Sequence, residues 1–171
     1  MEKLRTVVTT DGEIDDMNSF IRLLLYSNDM DITGIILTSS MFHYSGNREK
    51  SAMRWTGETW IPKMIDCYAK VYPNLIKHNP EYPTPESLHG LYPIGNISDV
   101  GDMMLETDGS NHLAKLLLDD DPRKLYVQTL GGTNTTARAL KTIEERYKDS
   151  NDWSNIKAKV EEKLILYLIL E

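Results

Sequence analysis

The order of apolar runs at the start of the chain limits the fold more than any other feature. Leu4 to Thr10 is apolar and β-branched, the pattern of a buried strand. An acidic loop, Asp11 to Asp16, follows directly. Phe20, Leu23, Leu24 and Tyr26 then recur at helical spacing, Ser27-Asn28-Asp29 ends that helix, and Ile32 to Thr38 is a second apolar run. Strand, loop, helix, strand implies a parallel pair with a right-handed crossover, because the helix must pack back over one face of the two strands.

The rest of the chain repeats the theme. Ser39 to Thr59 reads as a long loop, and Trp60, Ile61, Met64, Ile65, Tyr68 and Val71 fall at helical spacing, with Pro62 tolerable in a first turn. Four prolines between Asn74 and Asn96 predict mostly loop, with a short helix near Glu86. Leu113 to Leu118 predicts a helix stopped by Asp119-Asp120-Asp121-Pro122, and Leu125 to Leu130 a third strand. Gly131 to Thr135 turns the chain into a helix through Ala137, Leu140, Ile143 and Tyr147. A weaker helix over Ile156 to Glu161 leads to a fourth strand, Leu164 to Leu170. Four buried strands interleaved with helices give an α/β fold, a doubly wound and mainly parallel sheet with helices on both faces. Ligands of such sheets bind beyond the carboxyl ends of the strands. The acidic loop and the Gly131–Thr135 turn both lie there.

The 171 residues suit a single domain, 1–171, large enough to bury roughly 70% of its unfolded surface. A net charge of −7 disfavours nucleic acid or an anionic membrane as the main partner and suits a site that collects a cation. Cys67 is the sole cysteine, so no intrachain disulfide forms and the redox compartment stays open. The sequence as written carries no leader and no apolar run long enough to span a bilayer. That reads as cytoplasmic, with a periplasmic or secreted location if a leader was removed.

Asp11, Glu13, Asp15 and Asp16 place four carboxylates within six residues. Like charges this close raise one another's pKa values unless something neutralises them, and a hard cation does so. A metal lowers the pKa of bound water, and a free carboxylate beside it can take the proton. The bland alternative is helix capping and dipole complementation, which explains one or two of these acids. The loop is not an EF-hand, since the glycine and the twelfth-position Glu do not match.

The stretch Val7-Val8-Thr9-Thr10-Asp11-Gly12-Glu13-Ile14-Asp15-Asp16 resembles the Asp-x-Asp-x-x-x-Asp-Asp signature of nucleoside hydrolases. It is more similar still to the nucleoside hydrolase-like domain of the cellulose-binding protein family. The likeness continues through Leu23 to Asn28, Ile65 to Tyr68, Tyr72 to Leu75 with Lys77-His78, Tyr82-Pro83, Asp108-Gly109-Ser110 and Gly131 to Thr135. It implies a Rossmann-like core and a bound Ca2+. It implies that Asp11 is a calcium ligand and the base that activates water, that Asp16 is a calcium ligand, and that Asp15 holds ribose hydroxyls. It also implies a calcium-binding backbone carbonyl at Asn134, with Thr133 one residue away.

Two departures qualify this likeness. Thr9 stands where the signature has its first Asp. Further sugar contacts and another metal Asp of the hydrolases lie in chain beyond the fourth strand, so the domain is expected to lack the C-terminal part of the full fold. Asn18 and Asp108 are further candidates for ligand contact, against solvated or capping roles for Asn18 and an N-cap role for Ser110 beside Asp108. The four histidines lack metal-ligand spacing, but His43 follows the second strand and could protonate a leaving group. Trp55 and Trp60 suit either a sugar platform or packing.

These residues allow three functions. One is a calcium-dependent hydrolase of N-glycosidic or related bonds, acting on a small nucleoside or saccharide. Another is a non-catalytic carbohydrate-binding domain. The third is an inactive fragment whose exposed fourth strand pairs with a second copy.

Overall fold

The computed structural model describes residues 2–169. Four strands form one all-parallel sheet in the order β2-β1-β3-β4. They are β1 (Leu4–Thr10), β2 (Met30–Leu37), β3 (Leu125–Thr129) and β4 (Leu164–Leu168). Helix α1 (Ile14–Leu25) joins β1 to β2. Helices α2 (Trp60–His78), α3 (Pro85–His89) and α4 (Asp108–Leu118) lie between β2 and β3, and α5 (Asn134–Tyr147) and α6 (Trp153–Lys163) between β3 and β4. The chain winds one way from β1 to β2 and the other way from β3 to β4. The order reverses between β1 and β3, the place where such sheets open a ligand crevice.

Alternation along the strands builds a core on each face. Val7, Ile36, Leu125 and Val127 pack with Leu113 and Leu117 of α4, Ala139 and Ile143 of α5 and Val160 of α6. Ile35 and Leu37 pack with Phe20 and Leu24 of α1, Ile61, Ile65 and Tyr68 of α2 and Leu88 of α3. The doubly wound α/β reading therefore holds. At the far end of the sheet, the buried Arg5 at the start of β1 pairs with Asp119 after α4, and Lys163 of α6 donates to the Asp119 carbonyl at 2.7 Å. Burial opposes the charge of Asp119, but hydrogen bonds from Arg5 and Lys163 outweigh it and hold the carboxyl below its usual range.

Several boundaries differ from expectation. Helix α2 runs on to His78 with Pro73 inside it, past the proline-based limit. Helix α4 starts at Asp108 because Thr107, not Ser110, is its N-cap; the Thr107 hydroxyl accepts from Ser110 N–H while Ser110 Oγ accepts from Thr107 N–H. The fourth strand is not buried: Ile165, Leu166, Tyr167 and Leu168 are all exposed on the sheet edge. Leu170, the expected end of that strand, lies outside the described residues. Among the described residues no helix is long and apolar enough to cross a membrane.

Candidate functional site

The carboxyl ends of β1, β2 and β3 meet at the acidic loop. Thr38 N–H donates to the Thr10 carbonyl and Leu130 N–H to the Thr9 carbonyl, so the parallel pairing continues into the loops. Gly12 then takes a left-handed φ of 84°, and a Cβ there would collide with Thr56 and Trp60. From the other side Gly131 packs onto the loop, where a Cβ would stand 3.0 Å from the Asp11 Cβ. The close approach of β1's loop to β3's turn thus depends on a missing side chain.

The acids do not behave as helix caps. Glu13 occupies the N-cap of α1, but its side chain makes no cap hydrogen bond. Asp16 turns back toward β1, and its Oδ2 accepts from Thr10 Oγ1 at 2.5 Å and from Asp11 N–H at 2.9 Å. Asp11 Oδ1 accepts from Glu13 N–H at 2.9 Å. Its second oxygen, Oδ2, is buried without a partner, in a residue only 1% exposed. Burial pushes the Asp16 carboxyl up to about 7, the Thr10 hydroxyl opposes this, and the Asp11 charge adds to the rise. Two buried acids thus crowd one another at the end of β1.

The loop after β2 adds a nitrogen. His43 is 6% exposed, and its Nδ1 lies 4.0 Å from Asp11 Oδ2 and 3.7 Å from Glu13 Oε2. This nitrogen also has no hydrogen-bond partner. One ligand atom each from Asp11, Glu13 and His43 fall within 4.8 Å of one another, a spacing suited to an ion. The acidic loop in the sequence located this cluster in part. The sequence pattern suggested His43 only as a proton donor and gave Glu13 no individual role.

Asn134 is buried at the first residue of α5, and its side chain is a brace. Its Oδ1 accepts from Thr38 Oγ1 at 2.9 Å, and its Nδ2 reaches Ser39 Oγ, the Asn96 carbonyl and the Asp102 carbonyl at 2.8–3.0 Å. Its neighbour Thr135 accepts from Asn96 N–H. These bonds tie the end of β2 and the 96–102 segment to α5. The Thr133 carbonyl already accepts from Ala137 N–H.

Asp15, Asn18 and Asp108 are exposed, and among the described residues no hydrogen bond or ion pair joins them to Asp11 or Asp16. Trp60 is core: it is buried, packs edge-on against Phe20 at 5.6 Å, and its Nε1 lacks a partner. His112 packs against β2 and bonds the Thr33 carbonyl, while His89 pairs with Asp66 at the surface.

Residues 5–171 match the family described as "Cellulose-binding Sde182, nucleoside hydrolase-like domain". The chain belongs to this family.

A solved structure is similar to this Sde182-type domain, with 28% identity and a TM-score of 0.80. It is a nucleoside hydrolase-related hypothetical protein from Saccharophagus degradans that is associated with carbohydrate metabolism. The likeness covers 97% of this chain but 38% of that one, so the Sde182-type domain spans well under half the length of its relative. No curated protein matches the sequence. The orphaned Asp11 Oδ2 and the mutually opposed Asp11 and Asp16 fit a cation, for which the acidic loop offers oxygen donors and His43 a nitrogen.

Proposed function

We propose that this domain is a calcium-dependent hydrolase of N-glycosidic, nucleoside-like or related glycosidic bonds. The observation that carries the reading is the buried, unpartnered Asp11 Oδ2 at the switch point of the sheet. Asp11 and Asp16 would hold the ion, with the Asn134 backbone carbonyl as a third donor. Bound calcium would supply a positive charge that orients water and eases its ionisation. Asp11 keeps one oxygen on Glu13 N–H, which fixes the carboxylate plane and leaves Oδ2 to take a proton from water. Asp16, anchored by Thr10 and the Asp11 N–H, is pushed up to about 7 by burial beside Asp11, and a bound cation would favour its charged form. The exposed Asp15 stands ready for sugar hydroxyls, with Asn18 and Asp108 as outer contacts. The negative surroundings favour an oxocarbenium-like transition state at the anomeric carbon.

The test is release of free sugar from a panel of nucleosides and aryl glycosides, in calcium and in chelator, by the parent chain and by Asp11→Asn. Calcium-dependent release lost in the variant supports hydrolysis. No release from any member of the panel refutes it.

A second reading, non-catalytic saccharide binding, is favoured by the cellulose-binding description of the family and by the carbohydrate association of the relative. The burial of Trp60 removes it as a stacking platform and leaves the half-buried Trp55. Retention on cellulose that Trp55→Ala weakens supports this reading. Passage through cellulose and other insoluble glycans without delay counts against it.

A further inference from the structure

We propose that Asp11, Glu13 and His43 form a mixed nitrogen–oxygen site that takes a divalent transition ion of the zinc class, which competes for Asp11 with the calcium set of Asp11, Asp16 and Asn134. This rests on the acidic loop being a cation site, as in the proposed function, and requires nothing of hydrolysis.

Two buried atoms with no partner point at the same place. Asp11 Oδ2 and His43 Nδ1 belong to residues 1% and 6% exposed, and each has lost water without gaining a hydrogen bond. Leaving either atom so costs on the order of 1–3 kcal/mol, and a shared cation removes both costs at once.

The spacing suits coordination rather than a direct bond. His43 Nδ1 is 3.7 Å from Glu13 Oε2 and 4.0 Å from Asp11 Oδ2, beyond hydrogen-bond reach. Ligands at about 2.0–2.1 Å from a tetrahedral zinc ion lie roughly 3.4 Å apart, so small side-chain rotations close the set. The Glu13 carboxylate, which makes no cap bond to α1, is free for this role.

The backbone that carries His43 is held in position. The His43 carbonyl accepts from Ser40 N–H at 2.9 Å. Its neighbours are pinned on the far side, where Tyr44 and Met53 exchange backbone hydrogen bonds and Ser45 N–H reaches the Ile97 carbonyl. A buried imidazole beside two carboxylates is a poor companion for calcium, which takes oxygen donors. It is a good one for zinc-class ions, which accept imidazole nitrogen. Asp16 is not needed for this set, because its Oδ2 is committed to Thr10 and the Asp11 N–H.

The chelator-stripped chain is titrated calorimetrically with ZnCl2 and with CaCl2, in parent, His43→Gln and His89→Gln forms, the last a surface histidine away from the site. Cobalt(II) is added separately as a spectroscopic probe. Parent protein is expected to bind Zn2+ at least roughly tenfold more tightly than Ca2+, a difference of about 1.4 kcal/mol. His43→Gln should lose most of that zinc affinity and weaken the visible cobalt bands, while His89→Gln retains both. Histidine ring-proton spectra of the parent chain give a readout that needs no variant: Zn2+ should shift one imidazole, assigned as His43. Zinc bound no more tightly than calcium, zinc affinity unchanged in folded His43→Gln, or no imidazole shift would each overturn the proposal. Lack of sugar release with zinc binding intact would sink only the hydrolase reading.

Discussion

The carboxyl of Asp16 is the residue most at odds with its surroundings. Burial and the Asp11 charge hold its pKa near 7, against an unperturbed 3.8. A carboxyl whose folded pKa is raised binds its proton more tightly when folded. The stability that this proton contributes is complete below about pH 3.8 and lost as pH rises through about 7. Thermal melts in chelator should therefore show the midpoint falling between about pH 5 and pH 8. Asp16→Asn keeps an oxygen for Thr10 and the Asp11 N–H, so its midpoint should stay flatter and lie several degrees above the parent's at pH 8. A parent chain that gains stability over that range, or a variant melting lower at pH 8, would show that the raised carboxyl does not govern the pH response. The acids were visible in the sequence because four carboxylates in six residues need an explanation. The role of His43 was not, because its partners are thirty residues away in a loop whose path no periodicity specifies.

At the scale of elements, the site is held by a joint between α5 and the loops after β2. Asn134 alone links Thr38, Ser39, Asn96 and Asp102 through one buried amide. Asn134→Ala should destabilise the domain by roughly 2–3 kcal/mol, since polar groups of its partners stay buried and unpaired. Chemical denaturation would measure it, and a loss under about half a kcal/mol would show that the joint is dispensable. The strands and most helices were legible, because Leu4–Thr10 stops at Asp11-Gly12, Leu125–Thr129 lies between Pro122 and Gly131, and α1 and α5 repeat at helical spacing. Element ends were less so. Pro73 was tolerated inside α2, and the cap of α4 fell on Thr107, one residue before the motif that drew attention. The reach of the 96–102 segment onto Asn134 left no local mark at all, since it depends on contacts distant in sequence.

At the scale of the whole domain, the sheet is covered beside β2, while among the described residues no further strand pairs with β4. β2 is flanked by the Leu37–Ile94 bridge and by bonds from the 91–97 segment, whereas β4 shows apolar side chains on both of its faces. Leu140, Ile143, Trp153, Val160, Leu164 and Leu166 line a cleft of about 450 Å³ beside it. An edge of this kind templates further pairing. Sedimentation velocity across a concentration series should detect self-association of the parent chain that Tyr167→Lys reduces. A chain that stays monomeric at every concentration would show that the edge is not sticky in solution.

The position of β1 at the centre of the sheet also sets the order of events in time. Every pairing is parallel, so each needs a crossover to close before its contacts count, a topology that folds slowly. Asp11, Glu13, Asp16 and His43 all come from the first strand–helix–strand unit and the loop just after it, but the turn that packs on Asp11 arrives with Gly131 after β3. Ion affinity should therefore emerge late in refolding, after most helical signal has returned. A bound metal would then serve as a clock for the final docking step, reporting the moment at which distant halves of the chain become one structure.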